Sequence, residues 1–134
     1  MYKTSRRNNI HQTIFIMPLT LSNGKHIMIP RQRLKDMRRR GTIGQGGLPR
    51  THRDVFIKFK EDGKVIDEIT GTADYDNRFV EEIADQLTNP IVNHTVNDFG
   101  DTWEIESEET VDEKKVNFQV DVRVEVAAAN CVVM

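Results

Sequence analysis

The chain has 134 residues, of which 37% are apolar and 30% charged, with a formal net charge of −2. That length suits one domain with a core that needs no covalent staples, and the high charge content suits a sheet with one wet face. The single cysteine, Cys131, excludes an internal disulfide framework, and no apolar run approaches the ~18 residues of a membrane span. The expected setting is the cytoplasm or the inside of a large intracellular or viral assembly.

The small net charge conceals a polarity along the chain. Fourteen of the nineteen Lys and Arg residues fall in residues 1–60, where Asp36 and Asp54 are the only acids; residues 61–134 hold nineteen of the twenty-one Asp and Glu. Such a division predicts a basic side and an acidic side, each suited to an oppositely charged partner. The competing expectation is that the two halves neutralise one another on folding.

In chain order, residues 1–11 are polar and basic and read as a flexible arm. A first hairpin follows, with His11–Ser22 and Lys25–Ile29 flanking Asn23-Gly24, a dipeptide suited to a type I′ turn. Pro18 withholds one ladder donor, which places that strand at an edge or at a bulge. Pro30 opens a short helix over Arg31–Arg40 whose narrow apolar stripe is Leu34 and Met37. Residues 41–53 form a Gly- and Arg-rich loop.

Val55, Ile57 and Phe59 alternate with Phe56, Lys58 and Lys60, Asp62-Gly63 turns the chain, and Val65–Ile69 returns. Phe79, Val80, Ile83, Ala84 and Leu87 then recur at helical spacing. Asp74 or Asp76 is placed to accept from the free N–H groups at the start of this helix, and Thr88-Asn89-Pro90 ends it. In the last hairpin Trp103 and Ile105 alternate with glutamates. After a turn near Asp112-Glu113, Val116, Phe118, Val120, Val122, Val124 and Val126 keep strict period two. Residues 127–134 are an apolar tail. The expected fold is α+β: an antiparallel sheet of about six strands in three hairpins, covered on one face by one main amphipathic helix.

The strongest candidate contact segment is basic. Arg31, Arg33, Lys35, Arg38, Arg39, Arg40, Arg50 and Arg53 surround a loop containing Gly44, Gly46 and Gly47. Guanidinium forks match phosphate or carboxylate geometry, and glycine N–H groups can approach an anion closely. No aromatic residue interleaves, so stacking on single-stranded bases is not supported. The loop lacks the G-K-[ST] ending of a triphosphate site, and Val55 starts a strand too soon for the helix that a nucleotide-clamping G-x-x-G loop requires.

Cys131-Val132-Val133-Met134 has the form of a prenylation signal, without the upstream basic cluster or second cysteine that would make the anchor stable. Asp74-Tyr75-Asp76-Asn77 lacks the glycine and glutamate of a calcium loop. Asp98-Phe99-Gly100 is a turn. The four histidines have no metal-ligand spacing. The acidic run Glu104–Glu113 reads as the wet face of a hairpin. No cofactor, metal or catalytic constellation emerges. The sequence therefore favours a non-catalytic binding or assembly protein, self-associating or docked in a larger complex. A nucleic-acid binder using Arg31–Arg53 and an inhibitor of a basic target using the acidic face stand as alternatives.

Overall fold

The computed structural model describes residues 18–35 and 52–126; the basic arm, most of the Gly- and Arg-rich loop and the apolar tail lie outside them. A six-stranded antiparallel sheet dominates, in the order β3-β5-β4-β8-β7-β6. Its strands are β3 (Leu34–Lys35), β4 (His52–Glu61), β5 (Lys64–Tyr75), β6 (Ile91–Asn97), β7 (Gly100–Val111) and β8 (Lys114–Val126). A separate two-stranded ladder pairs β1 (Leu19–Thr20) with β2 (His26–Ile27). One helix, α1 (Arg78–Ala84), joins β5 to β6. The α+β class expected from the sequence is the class observed.

Period-two alternation sorts the two faces. Val55, Ile57 and Phe59 of β4 lie opposite Val124, Val122 and Val120 of β8, which in turn oppose Trp103 and Ile105 of β7 at Val122 and Val120. All of these side chains are buried. They form one cluster with Phe79, Val80 and Ile83 of α1, with Leu87 just beyond it, and with Leu21, Ile27 and Ile29 of the first hairpin. Each fully buried side chain of this size contributes roughly 1.5–3 kcal/mol relative to its exposure. The other face is polar, with Arg123 set over the Phe56 ring at 4.3 Å and Lys60 3.0 Å from Asp121.

Several local expectations change. The first hairpin does not join the main sheet; β3 and β6 take its place. A single 3-10 turn at Arg31–Arg33 followed by β3 replaces the start of the helix expected over Arg31–Arg40. Leu34 is buried opposite Tyr75, and one buried leucine is better served by a sheet edge than by a helix with so narrow a stripe. His52 and Arg53, expected in the loop, already belong to β4.

The turns are also informative. Asp62-Gly63 has both residues at positive φ (50° and 86°), as do Asp112 and Glu113 (50° and 69°), the signature of type I′ turns. In the first hairpin only Gly24 is left-handed, at φ 96°. Asn23 serves the fold differently: its buried Nδ2 donates to the carbonyls of Glu109 and Lys114, each at 3.0 Å. Asp76 accepts from the Arg78 N–H at 2.9 Å, as expected for the start of α1, whereas Asp74 is a strand residue.

Candidate functional site

The basic segment comes to one place at both its ends. Lys35 and His52 are both in register with Asp74, one from each side of β5. Lys35, Arg53 and Arg33 line a cleft of about 510 Å³ with Asp74, Asp76 and Asp101. The remaining candidates, Arg38, Arg39, Arg40, Arg50, Gly44, Gly46, Gly47 and Cys131, lie outside the described residues.

This cleft is not a free cationic surface. Arg33 Nε lies 2.9 Å from Glu82 Oε2 and its Nη1 3.1 Å from Asp76 Oδ2. The hydrogen bond to Glu82 raises the guanidinium's titration further. The Arg78 N–H, aided by Arg33, holds Asp76 below the ordinary carboxylate value. Arg53 Nη1 donates to the His52 carbonyl at 2.9 Å, and exposed Arg31 is 4.0 Å from Asp67.

The expected separation of charge is therefore corrected among the described residues. Lys25, Arg31, Arg33 and Lys60, all from the basic half, pair with Glu109, Asp67, Asp76 with Glu82, and Asp121, all from the acidic half. The cause is topological. Strand β4 lies between β5 and β8, so its outward lysines stand between strands that carry acids. The acidic run is not wholly a wet face either: Glu109 is fully buried.

The most exposed apolar surface is at the opposite edge of the sheet. All seven residues of β6 are exposed, and among the described strands only β7 pairs with it. Ile91 is 59% exposed and Val96 67%, and Phe99 in the following turn is 73% exposed. The strand contains no Asp, Glu, Lys or Arg. An edge of this kind presents unpaired backbone donors and acceptors and is a template for another strand, a hazard that proteins usually blunt with charge, proline or a bulge.

An aromatic row fixes this edge to the core. The His94 ring stacks on Trp103 with centroids 4.5 Å apart and planes 4° from parallel; Trp103 contacts Tyr75 at 5.8 Å, and Tyr75 contacts Phe79 of α1 at 6.4 Å. His94 Nε2 is also 3.3 Å from Asp101 Oδ1. Burial, with Asp101 and Asp76 nearby, pushes the Tyr75 phenol well above its ordinary titration. The edge strand thus rests on a stacked support, although its own side chains face water.

Pattern reasoning on the sequence places no strand at β6. The available signal was Ile91, Val92, Thr95 and Val96, β-branched residues directly after a proline, diluted by Asn93, His94 and Asn97. Among the described residues no group of three or more His, Cys, Asp or Glu side chains is arranged to hold a metal, and no helix is long and apolar enough to cross a membrane. Neither Asp76 nor Glu109, the carboxyls whose titration is shifted, is raised towards the neutral form that a general acid needs. Comparison with protein-family models, curated proteins and solved structures finds no match to this chain.

Proposed function

We propose that this chain is a non-catalytic binding or assembly protein that makes its principal contact through the open β6 edge, within a larger intracellular or viral assembly. One observation carries the reading: a seven-residue edge strand, exposed along its whole length, without Asp, Glu, Lys or Arg, and stacked on Trp103 through His94. Strand addition uses backbone hydrogen bonds for affinity and alternate side chains for specificity. The internal pairing of Arg33, Lys25 and Lys60 moves the weight of the proposal from charge to this edge.

The test is light scattering across protein concentration at low and high salt, on the wild type, Val96→Lys and the triple variant Arg38→Glu, Arg39→Glu, Arg40→Glu. Contact through β6 predicts that association survives salt and the triple variant and is lost in Val96→Lys with the fold intact. Association lost in the triple variant and in salt, but kept in Val96→Lys, rejects the β6 reading.

A second reading is nucleic-acid binding by Arg31–Arg53. It is supported by the common register of Lys35 and His52 against Asp74, which gathers both ends of the segment. It predicts an affinity for duplex or single strands whose logarithm falls linearly with log salt. Binding without that slope, or none at low salt, counts against it.

A further inference from the structure

We infer that the occupant of the β6 edge is the β6 strand of a second copy, paired antiparallel about a two-fold axis through His94. The inference rests on the proposed role of that edge and adds the partner, the symmetry and the register.

The two sides of the sheet are guarded unequally. On the β5 side, β3 pairs with Tyr75 and Asp74, a register shift interrupts the β4–β5 ladder at Phe59/Lys60, and β5 carries Lys64, Asp67 and Glu68. These are the usual defences of an edge. On the β6 side the pairing with β7 runs without a shift from Ile91↔Glu106 to Asn97↔Gly100, and the strand has no Asp, Glu, Lys or Arg. An edge of this length without a bulge, an acid, a lysine or an arginine carries none of the usual guards against pairing with an identical edge.

The central five residues of β6 match themselves when reversed. About His94, Val92 lies opposite Val96 of the second copy and Asn93 opposite Thr95, so there apolar meets apolar and polar meets polar; at the two ends Ile91 falls opposite Asn97. Opposed residues in an antiparallel pair share a face. Val92, His94 and Val96 stand over Ile105, Trp103 and Asp101 of β7, so the matched valines extend the row that contains the core side chains. Asn93 and Thr95 meet on the polar face. At the ends of the contact the turn bearing Phe99 comes beside the second copy's Asn89 and Pro90, giving that exposed ring the proline as an apolar neighbour. An isologous contact closes after two copies.

The experiment uses the full chain with Cys131→Ser, so that each variant has one cysteine. Residues opposed across an antiparallel pair have Cα atoms about 4.5–5.5 Å apart, within disulfide range. Mild oxidation is expected to cross-link His94→Cys with itself, and Val92→Cys only when mixed with Val96→Cys; the mixed pair leaves the His94 stack in place. Sedimentation is expected to give twice the monomer mass, reduced to monomer by Val96→Lys. Cross-linking of Val92→Cys with itself, no cross-link in either arrangement, or a mass above the dimer, with Val96→Lys still dissociating the assembly, overturns the two-fold register and leaves the β6 contact standing. A protein that stays monomeric into the millimolar range, or whose association ignores Val96→Lys, removes both.

Discussion

Lys25 places its ammonium 2.9 Å from Glu109, a carboxylate with no exposed surface. Glu109 also accepts from the Ser107 hydroxyl at 2.6 Å and the Thr88 N–H at 2.8 Å. One side chain therefore ties the first hairpin, the turn after α1 and strand β7 together. Burial alone pushes this carboxyl up, but the bonds from Ser107, Thr88 and Lys25 outweigh it and hold it below the usual range. A carboxyl lowered in the folded chain adds stability above its unfolded value, near 4.5, and that contribution is lost as pH falls through the folded value. Glu109→Gln is expected to cost about 2–3 kcal/mol at neutral pH, with the gap to wild type closing in acid. Urea titrations at neutral pH and at steps below the unfolded value check this. A gap independent of pH means that Glu109 is not an anion in the folded chain.

The turn at Asp112-Glu113 holds a glutamate at φ 69°, a conformation that costs an L side chain roughly 1 kcal/mol or more. Glu113→Gly removes that strain and gives back part of it as unfolded-chain entropy, for an expected gain of about 0.5–1 kcal/mol. Gly63→Ala, at φ 86° in the equivalent turn, is expected to lose about 1 kcal/mol. Thermal melts of the two variants should move in opposite directions.

Gly100 opens β7 where its backbone meets β8. A Cβ at this position would lie 1.9 Å from the Val124 carbonyl oxygen and 2.8 Å from the Glu125 Cα. Both obstacles are backbone, so no side-chain movement relieves them. Gly100→Ala is expected to destabilise by about 2 kcal/mol or more, measured by chemical denaturation. A wild-type midpoint would show that the β6–β7 turn shifts freely against β8.

Arg33 joins Glu82 of α1 to Asp76 at the end of β5. Arg33→Met and Glu82→Gln are each expected to lower the melting temperature. The double variant should lose less than the two single losses together, because the groups share one interaction. Strict additivity would remove the pairing from the account of stability. If Arg33 instead served a partner, Arg33→Met would weaken binding without lowering the melt.

The parts of the fold written in strong periodicity were legible beforehand. Strand β8 alternates without a break, and α1 shows its stripe at Phe79, Val80 and Ile83. Strand β6 was not legible because its polar residues fall on both faces and nothing in a lone sequence reveals that it is stacked on Trp103. Glu109 had a readable sign, since it shares the parity of Trp103 and Ile105 along β7, yet the surrounding glutamates made it look like surface. Among the described residues the expected charge separation failed for a different reason. Composition counts charges along the chain, whereas strand order decides which of them meet, and β4 is inserted between two strands of the acidic half.

The shared register of Lys35 and His52 against Asp74 has an engineering consequence. The chain exits and re-enters the sheet at points only about two strand spacings, roughly 10 Å, apart. A flexible insert joining two points this close pays little for its length, since doubling a flexible loop costs about 0.6 kcal/mol in closure entropy. That junction is where a tag, an epitope or a whole foreign module can be grafted while the strands on either side keep their partners.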